Sequence, residues 1–111
     1  MKTFDAVELG KRGQAAGKAY LEFLRIPEMS MGLYQLPAGG SDPQTPHAED
    51  EVYYIVSGRA QIAVAGEDHP VQAGSIVYVE KHVEHHFHSI EVDLSVLVFF
   101  APAEYSRKKR S

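Results

Sequence analysis

Cysteine is absent from the chain, and with it go disulfides, thiolate nucleophiles, sulfur-rich zinc sites and ordinary iron–sulfur clusters. Asparagine is absent too, so there is no N-glycosylation acceptor. Long apolar runs are also lacking. The longest covers residues 96–101, far short of the ~20 residues that a membrane-spanning helix needs. Asp5 and Glu8 put charge where a secretory signal must be apolar, which points to a cytoplasmic protein. The remaining composition is ordinary: 111 residues, 44% hydrophobic and 23% charged. That suffices for one domain, with over ~60% of the unfolded surface buried and no covalent staples.

Positive charge is scarce in the body of the chain. Arg107, Lys108, Lys109 and Arg110 hold four of the eleven basic residues, and all fifteen acidic residues precede them. Seven basic residues against fifteen acidic ones give the body a net charge of −8. Such a body repels nucleic-acid phosphates. The basic run reads as a solvated, disordered chain end, the alternative being contact with an anionic surface.

Short alternating runs closed by Gly or Pro recur along the chain, the pattern of an all-β sandwich or barrel. Candidate strands cover 19–24, 30–36, 51–57, 60–65, 75–79, 85–90 and 94–100. Turn signals include Pro37-Ala38-Gly39-Gly40, Ser57-Gly58, Ala65-Gly66-Glu67-Asp68 and Ala73-Gly74. Residues 14–24 are ambiguous, because Ala15, Ala16, Tyr20, Phe23 and Leu24 also trace a helical face. Gly17 costs a helix up to ~1 kcal/mol, so a loop running into a strand at Ala19 is expected. The chain then divides into an N-terminal segment (1–18), a barrel (19–102) and a basic tail (103–111).

Histidine is the informative residue type. Six are present: His47, His69, His82, His85, His86 and His88. In an extended chain, side chains at even separations share a face, so His47, Glu49 and Glu51 have one parity. His85 and Phe87 point opposite to His86 and His88. Two arrangements are open. His47, Glu51 and His85 converge on a divalent ion, a set suited to iron(II), manganese(II) or zinc with positions left for water or substrate. Alternatively His47 and Glu51 form a hydrogen-bonded pair at a rim while His85 packs alone. His82, His86 and His88 read as rim or surface residues. Tyr53 and Tyr78 have the parity to line an interior or to serve as core aromatics. Met29 and Met31 read as packing, and Arg59 as a turn cap. No phosphate-binding loop, nucleophile-elbow serine or base-reading motif is present.

Two segments resemble the motifs of the cupins, small jelly-roll (double-stranded β-helix) barrels. In the first, between Gly40 and Gly58, His47 stands four residues before Glu51 and Gly58 seven after it. In the second, Gly74, His85 and Phe87 fall in register. The resemblance covers roughly residues 30 to 100. Thr45 occupies the position of the first motif histidine. Glu80 and His82 replace a Pro and a Gly, and Ser89 replaces an Asn. The resemblance implies an all-β jelly roll holding a divalent metal (iron, manganese or zinc) on His47, Glu51 and His85. The fourth position is then open or filled by Gln44 or Thr45. It also implies a small organic ligand rather than nucleic acid or membrane. A metal-dependent oxygenase or Lewis-acid isomerase or lyase follows, with Glu49 as a general base and Tyr53 in the pocket. A non-catalytic binding or sensor module without metal, and a structural dimerisation domain, are the alternatives. The run 96–100 is apolar on both parities, which suggests a homodimer.

Overall fold

The N-terminal segment is a helix rather than the expected loop. In α1 (Ala6–Ala16) the Asp5 carboxylate accepts a hydrogen bond from the Glu8 backbone N–H at 3.0 Å. At the other end Gly17 adopts φ 66°, and the Gly17 and Lys18 N–H groups donate to the Gln14 and Gly13 carbonyls at 3.1 and 2.9 Å. Gly17 is therefore the stop signal of the helix and not a cost inside it. Leu9, Gly10 and Gly13 form the buried face. The computed structural model describes residues 1–43 and 46–106. Among them no helix is long and apolar enough to cross a membrane.

Six strands follow: β1 (Tyr20–Ile26), β2 (Met29–Leu36), β3 (Asp50–Val64), β4 (Glu67–Gln72), β5 (Ile76–Val79) and β6 (His85–Ala101). All pairings are antiparallel, in the order β1-β2-β6-β3-β4, with β5 also on β3. Two pairs of expected strands are fused. Segments 51–57 and 60–65 form one strand of 15 residues, and 85–90 and 94–100 form one of 17. Gly58 bends the chain instead of ending the strand. Its φ is 102°, and a Cβ there would stand 2.3 Å from the Asp93 carbonyl oxygen. The β3–β6 register shifts between Ile55 and Gln61, where Arg59 faces Val92 and Gln61 faces His88. These bulges reverse the inward parity: Tyr53 and Ile55 are buried before the bend, Ala60 and Ile62 after it. On β6, Phe87 is buried before Ser89 (φ 50°), and Ile90, Leu94, Val96 and Val98 after it.

Strand β4 was not among the expected strands. It is mostly polar, contains Pro70, and among the described residues pairs with β3 alone, at the end of the sheet order, where a missing N–H is tolerated. The core gathers inside the curled sheet around Tyr53, Ile55, Ile62, Phe87, Leu94 and Val96. Residues 103–106 belong to this body and not to a tail: Ala103 and Glu104 are buried. Their turn is pinned to the β1–β2 hairpin, the Glu104 N–H donating to Ser30 Oγ at 2.9 Å and Arg25 Nη2 to the Glu104 carbonyl oxygen at 2.7 Å. The basic residues 107–110 lie outside the described residues.

Candidate metal centre

His85 opens β6 and is paired with Val64, while Glu51 lies at the other end of β3, paired with Phe100 and Val79. Curling of the two long strands brings them together, with His85 Nε2 2.9 Å from Glu51 Oε1. His47 arrives from the loop between β2 and β3. Its ring packs edge-on against Phe100 at 4.9 Å and lies 5.8 Å from the His85 ring. One ligand atom from each of His47, Glu51 and His85 lies within 4.8 Å of the others.

The state of these groups shows what they are suited to hold. Glu51 is 1% and His85 4% exposed. Their close approach is not aligned as a hydrogen bond, so both Glu51 oxygens and His85 Nε2 lack a hydrogen-bond partner. Buried oxygens and nitrogens rarely stay unpaired, because that costs ~1–3 kcal/mol each. His85 Nδ1 lies 2.9 Å from the Val83 carbonyl oxygen. In the neutral ring that contact places the hydrogen on Nδ1 and leaves the Nε2 lone pair facing Glu51. Burial works against charging His85, but the Glu51 carboxylate and the Val83 carbonyl outweigh it and raise its pKa. Two imidazoles and a carboxylate with ligand atoms this close fit a divalent cation of the iron, manganese or zinc type.

A cavity of about 200 Å³ opens beside His47 and Glu51 and is bordered also by Tyr20, Tyr34, Phe100 and Glu104, while His85 does not line it. Gly32 makes room for one wall, since a Cβ there would lie 2.2 Å from the Tyr20 ring. Tyr20 Oη is buried without a partner. Its pKa is raised by burial first and then by Glu104, Glu22 and Glu51. Tyr34 donates to Asp42 Oδ1 at 2.5 Å. Glu104 Oε2 stands 3.7 Å from His47 Nδ1, and burial, with added repulsion from Glu51, Glu22 and Glu49, pushes the Glu104 carboxyl up to about 7.

Comparison with known proteins gives the family. Residues 32–100 match the family model of the cupin domain. The chain belongs to the cupins. It is 54% identical over 104 residues to an uncharacterised protein of Streptomyces coelicolor, covering 94% of this chain and 99% of that one. Its fold is similar to that of a Thermus thermophilus protein (TM-score 0.77, 22% identity, 93% and 99% covered). It is also similar to an RmlC-like cupin from Shewanella frigidimarina (TM-score 0.70, 20% identity, 80% and 77% covered). Both structural likenesses speak to the fold alone.

Of the residues singled out from the sequence of this cupin, His47, Glu51 and His85 meet. Tyr53 is 0% exposed and packs beneath the site, its ring 5.9 Å from His85 and 4.9 Å from Phe87. Glu49 is 2% exposed with both oxygens unpartnered, but it does not border the cavity. Gln44 and Thr45 lie outside the described residues. Tyr78 is exposed and faces outward, 3.3 Å from Asp50. His86 is exposed, and His88 reaches outward to Asp68 at 2.7 Å. His82 is exposed and donates its N–H to the His47 carbonyl oxygen at 2.7 Å. Arg59 does not cap a turn but pairs with Glu91 at 3.0 Å. Sequence reasoning missed Asp42, Tyr20 and Glu104. Asp42 lies within the first motif segment but at none of its spaced positions, and Tyr20 lies outside both segments. Glu104 follows the apolar run by three residues, which hid it in the apparent tail.

Proposed function

We propose that this cupin is a metal-dependent enzyme acting on a small oxygen-rich metabolite, with His47, Glu51 and His85 holding a divalent iron, manganese or zinc ion. The observation that carries this reading is the set of three ligand atoms within 4.8 Å beside a cavity, with the Glu51 oxygens and His85 Nε2 buried and without an aligned hydrogen bond. A bound ion would supply Lewis-acid polarisation of a substrate oxygen or, if iron or manganese, redox chemistry with O₂. The chain itself supplies the rest. The Val83 carbonyl orients the His85 ring, Phe100 and the His82 N–H hold His47 in place, and the buried Tyr53 and Phe87 close the site from below. Of the three residues, His47 and Glu51 border the cavity, so an ion held by them and His85 would have room beside it for a substrate oxygen.

Elemental analysis of untagged protein, beside His47→Ala and His85→Ala, tests the reading. Near-stoichiometric iron, manganese or zinc that both variants lose is the expected result. A wild type that is empty and stays empty under added metal would overturn it and leave a non-catalytic binding module.

A further inference from the structure

Two tyrosines on paired positions of β1 and β2 border the cavity, and only one hydroxyl is used by the fold. Tyr34 donates to Asp42. Its cross-strand neighbour Tyr20 has a buried Oη with no hydrogen-bond partner among the described residues. Buried polar groups are rarely left unmet, because the water given up on burial is not replaced. The hydroxyl end of the Tyr20 ring lies over Gly32, where a Cβ would come within 2.2 Å of both Cζ and Oη. Gly32 is paired with Val98, and Val98 borders the same cavity as Tyr20, His47 and Glu51. The hydroxyl therefore sits at the floor of that cavity. Edge-on packing against Tyr34, with ring centroids 6.1 Å apart, fixes its position. Burial above all raises its pKa, so the proton stays on and the group donates.

We propose that Tyr20 is a ligand-binding residue: its hydroxyl donates a hydrogen bond to a hydroxyl or carbonyl oxygen of a small molecule whose other end carries the oxygen donors that meet the triad. Only the triad end rests on reading His47, Glu51 and His85 as a metal site; the bond from Tyr20 does not. The volume, about 200 Å³, is below the ~300–1,000 Å³ of pockets that hold drug-sized ligands, so the ligand is one ring or a short chain. A molecule that fills so small a space lies against Tyr20 on one side and against His47 and Glu51 on the other. A donor held in place before binding loses little freedom when the ligand oxygen arrives. A ligand lacking that oxygen leaves the donor unmet, which makes Tyr20 a point of selection.

The test uses two probes of one shape, kojic acid and allomaltol. Both are pyranones with a chelating hydroxyketone edge, and at the far end a hydroxymethyl group in the first replaces a methyl group in the second. Ligand-observed NMR titration gives their affinities for zinc-loaded and for EDTA-treated full-length protein, wild type and Tyr20→Phe, after zinc binding itself has been measured by calorimetry. On wild type, kojic acid is expected to bind roughly three- to tenfold more tightly than allomaltol, the order of one neutral hydrogen bond. Tyr20→Phe should bring the two affinities together, a cycle that isolates the pair of oxygens. The empty variant should unfold in urea at or above the wild-type midpoint, because removing an unmet buried hydroxyl strands nothing. A lower midpoint shows that the fold itself uses the hydroxyl and overturns the proposal. Equal affinities on wild type, a preference that survives in Tyr20→Phe, or no binding of either probe at millimolar concentration overturns it too. Failure of zinc to bind with the preference intact on EDTA-treated protein sinks the metal reading alone. Zinc binding without the preference sinks this inference alone.

Discussion

Asp42 ties the loop that carries His47 to the barrel, and replacing it separates hydrogen bonding from charge. Its Oδ1 accepts from the Tyr34 hydroxyl at 2.5 Å and its Oδ2 from the Phe87 N–H at 2.8 Å. Asp42→Ala strands both donors in a buried setting at ~1–3 kcal/mol each. Some of this is returned, because burial penalises the carboxylate: its pKa is raised above 3.8 despite the bonds from Tyr34 and Phe87 that lower it. A net loss of ~2–4 kcal/mol is expected. Asp42→Asn keeps an acceptor for Phe87 and offers an amide to the Tyr34 oxygen, so it should cost ~1 kcal/mol. Because the folded pKa lies above the unfolded value, the folded state binds more protons between the two. The contribution of this carboxyl is therefore full below 3.8 and declines as pH rises through the folded pKa. The advantage of wild type over Asp42→Asn should be largest in acid and shrink upward. Urea unfolding followed by far-UV circular dichroism in EDTA, at several pH values, reads all three proteins. Equal losses for Asn and Ala, or an Ala variant within ~0.5 kcal/mol of wild type, would show that Asp42 does not tie the loop through these bonds.

Three further outcomes follow from the geometry. Gly58→Ala should destabilise by at least ~2 kcal/mol, because it forces φ 102° on a residue with a Cβ that meets the Asp93 backbone; the same urea titration reports it. Glu51→Gln should weaken zinc affinity by well over about tenfold, since a neutral amide replaces the anionic ligand, and calorimetry checks this. Tyr54, Ile76 and Tyr78 form an exposed apolar surface where β3 pairs with β5, and pairing of two chains would cover it. Light scattering should give twice 12.3 kDa, and a monomer mass would dispose of the dimer.

Alternation and Gly spacing made the all-β architecture legible, and motif spacing brought out His47, Glu51 and His85. Both signals are local in the chain. Fused strands were not legible, because a turn and a bulge share the residues Ser57-Gly58. Only the close approach of β6 at Asp93 makes Gly58 a bend within one strand. Helix α1 escaped because its signals are caps, Asp5 and Gly17, rather than apolar periodicity. Strand β4 escaped because an edge strand needs little apolar surface.

The strand-rich class, the exclusion of cysteine chemistry and the residue types able to bind a hard or borderline metal follow from the sequence alone. Tertiary structure decided which of those residues meet. Glu51 and His85 belong to opposite ends of one ladder and touch only because β3 and β6 curl. Glu104, Tyr20 and Asp42 enter the site and its support by long-range packing, through Ser30, Gly32 and Phe87. Contacts of that kind leave no period or spacing in the chain. They are set by where the curled sheet brings its ends together.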